Sequence, residues 1–276
     1  MAMRPPSAKS SRKIPLPAEA PKEAAPGFLK LTEQYLCEEG EGGTLGALTW
    51  LVRLSGCNLR CWWCDSKQSS FRDDEEKMVS AGAVEKAALK SGAHWVSFTG
   101  GEPTWRGDAE IKTLAALCAR LRKKGRKIKV ETNGLLLPKA LAGKVDLWSV
   151  APKWDGSKPA ASQRQPLMDY DTKVLDEMAR RFAPRGMQLK FVISFGPDAR
   201  PRAGDLKRAL QIMAALKSPQ RPPVFFIPEA YAKGGYLERC KALGTAVQAL
   251  AGKAQGWDLR VQPQWHRVVH GDLRGV

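Results

Sequence analysis

An alternation of short apolar runs with amphipathic ones, sustained along almost the whole chain, limits the fold more than any other feature. Runs rich in β-branched and aromatic residues recur at Thr49 to Leu54, His94 to Phe98, Lys127 to Glu131, Asp146 to Val150, Met187 to Ile193, Val224 to Ile227 and Asp258 to Val261. Such runs predict strands. Helical spacing of apolar residues between them predicts helices near 79–90, 108–124, 171–182, 204–216 and 236–250. The clearest repeats Ile111, Leu114, Cys118 and Leu121, with Asp108 placed to cap its start and Gly125 to end it. Strand, helix, strand at this spacing argues for a parallel sheet with right-handed crossovers. The expected fold class is α/β, a partial (β/α) barrel of about six parallel strands, with ligands at the C-terminal ends of the strands.

The 276 residues, 43% hydrophobic and 26% charged, are enough to bury a sizeable core. No stretch approaches the roughly 18 uninterrupted apolar residues that span a bilayer. The N-terminal segment is basic but lacks the apolar centre of a secretory leader, so the expected location is cytoplasmic. Residues 1–30 hold six of the 19 prolines, with six basic and two acidic side chains. They are expected to form a disordered tail, and 31–276 a single catalytic domain. The tail contributes +4 to a net charge of +17, leaving +13 on the folded part. A field of that sign favours acidic partners.

Three of the six cysteines fall within eight positions, in Arg53-Leu-Ser-Gly-Cys57-Asn-Leu-Arg-Cys61-Trp-Trp-Cys64-Asp65, directly after the first expected strand. Cys37, Cys118 and Cys240 are scattered, and Cys118 lies on the apolar face of its helix. The spacing C-x3-C-x2-C differs from the paired C-x2-C of a structural zinc site. Three thiolates on one tight loop suit three irons of a 4Fe-4S cube, leaving the fourth iron open. A zinc site borrowing a distant ligand and coincidental free thiols are the alternatives.

This cysteine spacing, with an aromatic residue just before the last cysteine, resembles the signature of the radical S-adenosylmethionine superfamily. Thr99-Gly100-Gly101-Glu102-Pro103 resembles that superfamily's GGEP motif. Further stretches resemble the 7-carboxy-7-deazaguanine synthase family within it: Gly40-Glu41-Gly42, Arg53 four residues before Cys57, Asp65-Ser66, Glu131-Thr132-Asn133-Gly134, Ala151-Pro152-Lys153, Gln188-Leu189-Lys190-Phe191-Val192, and Gln262-Pro263-Gln264-Trp265-His266. The resemblance spans residues 33 to 270. Three departures stand out. Glu38-Glu39 replaces the family's Leu-Gln, Ser66 replaces a threonine, and Ala151 replaces a serine.

The resemblance implies a radical S-adenosylmethionine core that converts 6-carboxy-5,6,7,8-tetrahydropterin to 7-carboxy-7-deazaguanine and ammonia, in the deazapurine and queuosine pathway. The implied route is hydrogen abstraction at C6 by a 5′-deoxyadenosyl radical, magnesium-assisted ring contraction, hydrogen return and loss of ammonia. Cys57, Cys61 and Cys64 would hold the 4Fe-4S cluster and Ser66 the Mg2+ ion. S-adenosylmethionine would be held by Trp63, Asp65, Gly101, Glu102, Ala151, Lys153, Gln188, Lys190 and Phe191. Glu38, Glu39, Gly40, Glu41, Arg53, Thr99, Gln264 and His266 would hold the substrate. Trp62, Trp63 and Trp148 are expected to help exclude water. A flavodoxin or ferredoxin reductant and a homodimer are the implied partners, with Arg60 a candidate contributor to an acidic reductant's docking surface. His94 reads as structural, while Lys190, in a strand, favours a site role because an unpaired buried charge is costly. Two rival readings stay open: an activase for a glycyl-radical enzyme, and a metal-containing nucleic-acid-binding protein prompted by the +17 charge.

Overall fold

The protein, described here by a computed structural model over residues 24–71, 75–154, 172–230 and 235–271, is built on one nine-stranded sheet. Its strands are β1 (Phe28–Glu38), β2 (Leu48–Leu54), β3 (Lys77–Ser80), β4 (Trp95–Gly100), β5 (Lys127–Thr132), β6 (Leu147–Val150), β7 (Met187–Ile193), β8 (Val224–Pro228) and β9 (Leu259–Val261). They lie in the order β3-β1-β2-β4-β5-β6-β7-β8-β9. From β2 to β9 along that order every pairing is parallel; β1 runs antiparallel to both β2 and β3. Helices α1 (Lys67–Phe71), α2 (Ala81–Lys90), α3 (Asp108–Lys123), α4 (Thr172–Phe182), α5 (Ala203–Ala215), α6 (Tyr236–Gln248) and α7 (Trp265–Val269) fill the connections. The expected α/β class with a mostly parallel sheet holds.

Strand periodicity sorts side chains onto two faces. Val52, Leu54, Val96, Phe98, Ile128, Val130, Val150, Leu189 and Phe191 are fully buried on the outer face. There they meet Leu114, Leu117, Cys118 and Leu121 of α3 and the apolar stripes of α4 and α5. Cys118 is core, as its helical face predicts. The alternate residues Arg53, Thr99, Lys129, Glu131 and Lys190 face inward, and this face is polar. On a flat sheet β1 and β7, five strands apart in the order, would be separated by about 24 Å at ~4.8 Å per strand. Yet Glu41, just past β1, forms an ion pair with Lys190 on β7. The sheet is therefore rolled, and its polar face lines a lumen.

Among the described residues seven strands run parallel, in keeping with the expected number of about six. The structure corrects several expectations. Strand β1 begins at Phe28 with Leu29 and Lys30 buried, so it reaches into the segment expected to be tail; residues 1–23 and 171 lie outside the described residues. β1 escapes apolar periodicity because a register irregularity between Leu31 and Glu33 resets its faces, after which its inward face is Glu33, Tyr35 and Cys37. Gly107, not Asp108, caps α3, and Asp108 sits in its acidic first turn. Trp148 does not guard the site. It faces outward and stacks on Phe182 with ring centroids 4.8 Å apart. His94 is exposed, and its ring lies edge-on to Trp95. Among the described residues no helix is long and apolar enough to cross a membrane.

Trp148→Ala should lower folding stability by about 3–5 kcal/mol through cavity creation. Leu237→Ala, 64% exposed on α6, should change it by no more than about 0.5 kcal/mol. The urea midpoints of the two variants check this contrast.

Candidate active site

The C-terminal ends of β2, β4, β5 and β6 each run into a loop; one carboxylate bolts the loops after β4 and β5 together, and the cysteine loop after β2 joins them through Asn133. Glu102, after β4, is 2% exposed. Its Oε1 accepts from Thr104 N at 3.0 Å, Thr104 Oγ1 at 2.7 Å and Thr132 Oγ1 at 2.6 Å, and its Oε2 from Asn133 N at 2.7 Å. Asn133, after β5, donates through Nδ2 to Asn58 Oδ1 of the cysteine loop at 2.8 Å. Arg106 clamps the same junction from beneath. It donates to Ser55 O, to Gly56 O at 2.8 Å and twice to Glu102 O, and is backed by Glu110 at 3.8 Å. Glycine is required where the two loops meet: a Cβ on Gly101 would collide with the Gly56 carbonyl.

The cysteine loop hangs from this junction over the lumen. Cys57, Cys61 and Cys64 all line one cavity of ≈ 420 Å³, a size suited to a small molecule. Burial pushes the Cys61 thiol up to about 12 and raises Cys57 and Cys64 as well, with Glu102 adding to the push on Cys57 and Asp65 to that on Cys64. Three such thiols ionise together only if a cation supplies the opposing charge. The Leu59 amide already faces Cys57 Sγ at 3.4 Å, as a donor to a thiolate would. Among the described residues no three Cys, His, Asp or Glu side chains group as ligands of one metal ion. A cube of irons takes one thiolate per iron, so its ligands need not meet at a point. The loop fits an iron–sulfur cluster better than a mononuclear zinc.

Opposite the thiols lies a buried charge network. Lys129, fully buried, reaches Glu39 Oε1 and Glu131 Oε1, each at 2.9 Å, and the Glu41 carbonyl at 3.3 Å. Lys190 binds Glu41 Oε2 and lies 3.4 Å from Glu131. Thr99 donates to Glu131 Oε2 at 3.1 Å. Burial opposes ionisation of Glu131, but Lys129 and Lys190 override it and hold this carboxyl well below its usual range. Burial pushes Glu39 upward, and the charge on Glu131 adds to it although Lys129 pulls the other way. Asp65 is held low against burial by His266, Arg53 and Lys190. Gln264 donates through Nε2 to Glu41 and, at 3.2 Å, to Asp65.

Most expected site residues line this one cavity: Trp63, Asp65, Gly101, Glu102, Ala151, Lys153 and Lys190 of those expected for S-adenosylmethionine, Ser66 expected for Mg2+, and Glu38, Glu39, Gly40, Glu41, Arg53, Thr99, Gln264 and His266 of those expected for the substrate. Lys153 stands over the Trp63 ring, 4.9 Å from its centroid. Arg53 pairs with Glu33 at 2.8 Å and donates to Tyr35 Oη at 3.2 Å. Glu38 is at the rim, 3.7 Å from His270.

Four expectations fail on position. Phe191 alternates with Lys190 and so points out of the lumen, against Trp154 and Phe226. Gln188 points inward but lies beneath the turn after β1, where it accepts from Gly43 N at 2.8 Å and donates to Ser149 Oγ at 3.0 Å. That turn leaves no room above it, since a Cβ on Gly42 would strike the Gln188 amide. Trp62 does not line the cavity. Arg60 is buried and donates to the Cys57 and Leu59 carbonyls, so it is a strut of the loop and not a docking residue. Conversely, sequence reasoning assigned no role to Glu33, Tyr35, Arg106, Lys129 or Asn133. For Lys129 a signal existed: it alternates with Ile128 and Val130 in a strand buried on both faces.

Replacing Cys57, Cys61 or Cys64 by Ala should abolish the visible iron–sulfur absorbance of anaerobically reconstituted protein. Cys118→Ala, in the core, should retain it. Iron and sulfide content per chain provides the measurement.

A radical S-adenosylmethionine superfamily model matches residues 51–147, from β2 to the start of β6. The chain is 31% identical over 203 residues to the 7-carboxy-7-deazaguanine synthase of Rhodopirellula baltica, covering 71% of this chain and 75% of that one. It is 27% identical over 248 residues to the enzyme of the same name from Thermoplasma acidophilum, covering 89% and 99%. Its fold is similar to the crystal structure of QueE from Escherichia coli, with a TM-score of 0.59 and 18% identity over 85% of this chain and 94% of that one. With the cysteine loop, the GGEP turn and the polar lumen all in place, the chain belongs to the 7-carboxy-7-deazaguanine synthase family of the radical S-adenosylmethionine superfamily.

Proposed function

We propose that this protein converts 6-carboxy-5,6,7,8-tetrahydropterin to 7-carboxy-7-deazaguanine with release of ammonia. The observation that carries the reading is the joining, in one cavity, of three thiols on one wall with a charged, hydrogen-bonding floor on the other. When bound, a 4Fe-4S cluster and S-adenosylmethionine supply the 5′-deoxyadenosyl radical. Cys57, Cys61 and Cys64 would hold the cluster. Gly101, Asp65, Ala151, Lys153 and Trp63 would hold S-adenosylmethionine beside it. The Glu102 carboxylate serves that site from behind, since protein donors already occupy it.

The chain's own groups then have distinct tasks toward the pterin. Arg53, a planar donor fork braced by Glu33 and Tyr35, suits the substrate carboxylate. Glu39, Glu41, Thr99, Gln264 and His266 offer the ring's amide and amidine edge its partners. Lys190 pairs with Glu41 and, together with Lys129, keeps Glu131 ionised, and the rolled sheet excludes water. Ser66, 7% exposed at the cavity wall with Oγ 3.7 Å from Cys64 Sγ, offers the one hydroxyl that a mostly hydrated Mg2+ ion needs from the protein. An acidic flavodoxin or ferredoxin reductant and assembly as a homodimer, in the cytoplasm, complete the reading. Because the relatives bear a synthase name, the activase and nucleic-acid readings are set aside.

Anaerobic turnover with the carboxy-tetrahydropterin, S-adenosylmethionine and dithionite should yield 7-carboxy-7-deazaguanine, detectable by mass. Its absence from enzyme with full cluster content would overturn the proposal. Ser66→Ala should keep cluster content but lose magnesium stimulation of turnover, whereas Ser66→Thr should keep both. An unchanged magnesium dependence in Ser66→Ala would remove the hydroxyl from the ion's shell.

A further inference from the structure

The carboxylates on the cavity floor are not equivalent. Glu41 spends both oxygens, one on Lys190 and one on Gln264. Glu131 spends both as well, on the two lysines and on Thr99. Glu39 spends only Oε1, on Lys129 at 2.9 Å; its Oε2 is buried and accepts no hydrogen bond. A second acceptor of the same cavity is in the same condition. The Gln264 amide nitrogen faces two carboxylates, Glu41 and Asp65, which fixes the orientation of the amide. Its carbonyl oxygen, also buried, is left without a donor. Buried acceptors are nearly always satisfied, so two orphans on residues that line one ligand cavity point to a ligand that brings donors.

We propose that Glu39 and Lys129 form a specificity device, in which Lys129 anchors one carboxylate oxygen and the other receives the donor edge of the pterin, N3–H and the 2-amino group. The Gln264 carbonyl is the second acceptor. Glu39 takes part in binding; Lys129, sealed beneath it, is a positioning residue that acts through Glu39. This inference rests on the pterin reading and goes beyond it by assigning the amidine edge to a residue pair whose carboxylate departs from the family, whose turn carries glutamine where Glu39 stands. The pair also dictates what a glutamine does here. Facing the Lys129 ammonium, the amide of Glu39→Gln must turn its carbonyl toward the cation, so its NH2 group replaces Oε2. An acceptor becomes a donor.

The test uses reconstituted enzyme with S-adenosylmethionine bound and two stable fluorescent probes. These are pterin-6-carboxylate and lumazine-6-carboxylate, the latter with a carbonyl in place of the 2-amino group. Wild-type enzyme should bind the pterin about 10- to 100-fold more tightly, because the analogue leaves a buried acceptor without its N–H donor. In Glu39→Gln the ratio should fall to about one or below. Lys129→Arg, which keeps the buried cation, should retain the wild-type preference. The double variant Glu39→Gln with Lys129→Met frees the amide to turn and should recover a preference for the pterin. Cluster content and thermal midpoint, measured for every variant, separate a lost fold from a lost preference. A wild-type ratio near one, which needs no variant, or an undiminished ratio in folded Glu39→Gln would overturn the inference. Failure of pterin-6-carboxylate to bind wild-type enzyme with a full cluster would instead overturn the pterin reading itself.

Discussion

Two lysines sealed inside a rolled sheet govern the arrangement of this protein. Lys129 on β5 and Lys190 on β7 are both buried where water cannot solvate them. Leaving such a charge uncompensated costs about 3–5 kcal/mol. Compensation comes from Lys129's own strand, through Glu131, and from across the lumen, through Glu39 and Glu41 just past β1. The turn after β1 is thereby drawn over the strands that face it. Glu41 in turn engages Gln264, which brings the C-terminal segment to the same place. One electrostatic requirement thus closes the lumen from three directions and leaves a polar floor.

The opposite wall is organised by a different economy of hydrogen bonds. Glu102 and Arg106 use nearly all their capacity on backbone and hydroxyl groups of the neighbouring loops. They hold the cysteine loop, the GGEP turn and the turn after β5 in fixed relation, and the thiols themselves are left free for ligation. The rigid groups and the reactive groups are therefore separate sets of residues. A site that must contain a radical gains from this division, because nothing that holds the walls needs to move when a ligand arrives.

Much of this was legible in the sequence. Strand and helix periods predicted β2 and every strand from β4 to β9, because a parallel strand is apolar on its outer face and short enough for its ends to show. The cysteine spacing named the cluster loop before any fold was known. Lys190 was recognisable as a site residue, since a lysine inside an apolar strand has no place in a core. The same logic applies to Lys129, which stands between Ile128 and Val130 in a strand just as Lys190 stands between Leu189 and Phe191. Gln188 and Phe191 were misplaced because they share a motif with Lys190, and a motif does not say which of its residues a covering turn conceals.

The sequence by itself determined the alternating α/β order, the family, and the identity of the three thiols, since each depends on local spacing or on residue type alone. Only the tertiary structure decided that Glu39 answers Lys129, that Glu102 ties loops together, and that Arg60 is a strut. Those outcomes depend on which strands become neighbours and on how far the sheet rolls. Partners separated by 223 positions, such as Glu41 and Gln264, meet because burial of charge demands a partner wherever the fold can supply one.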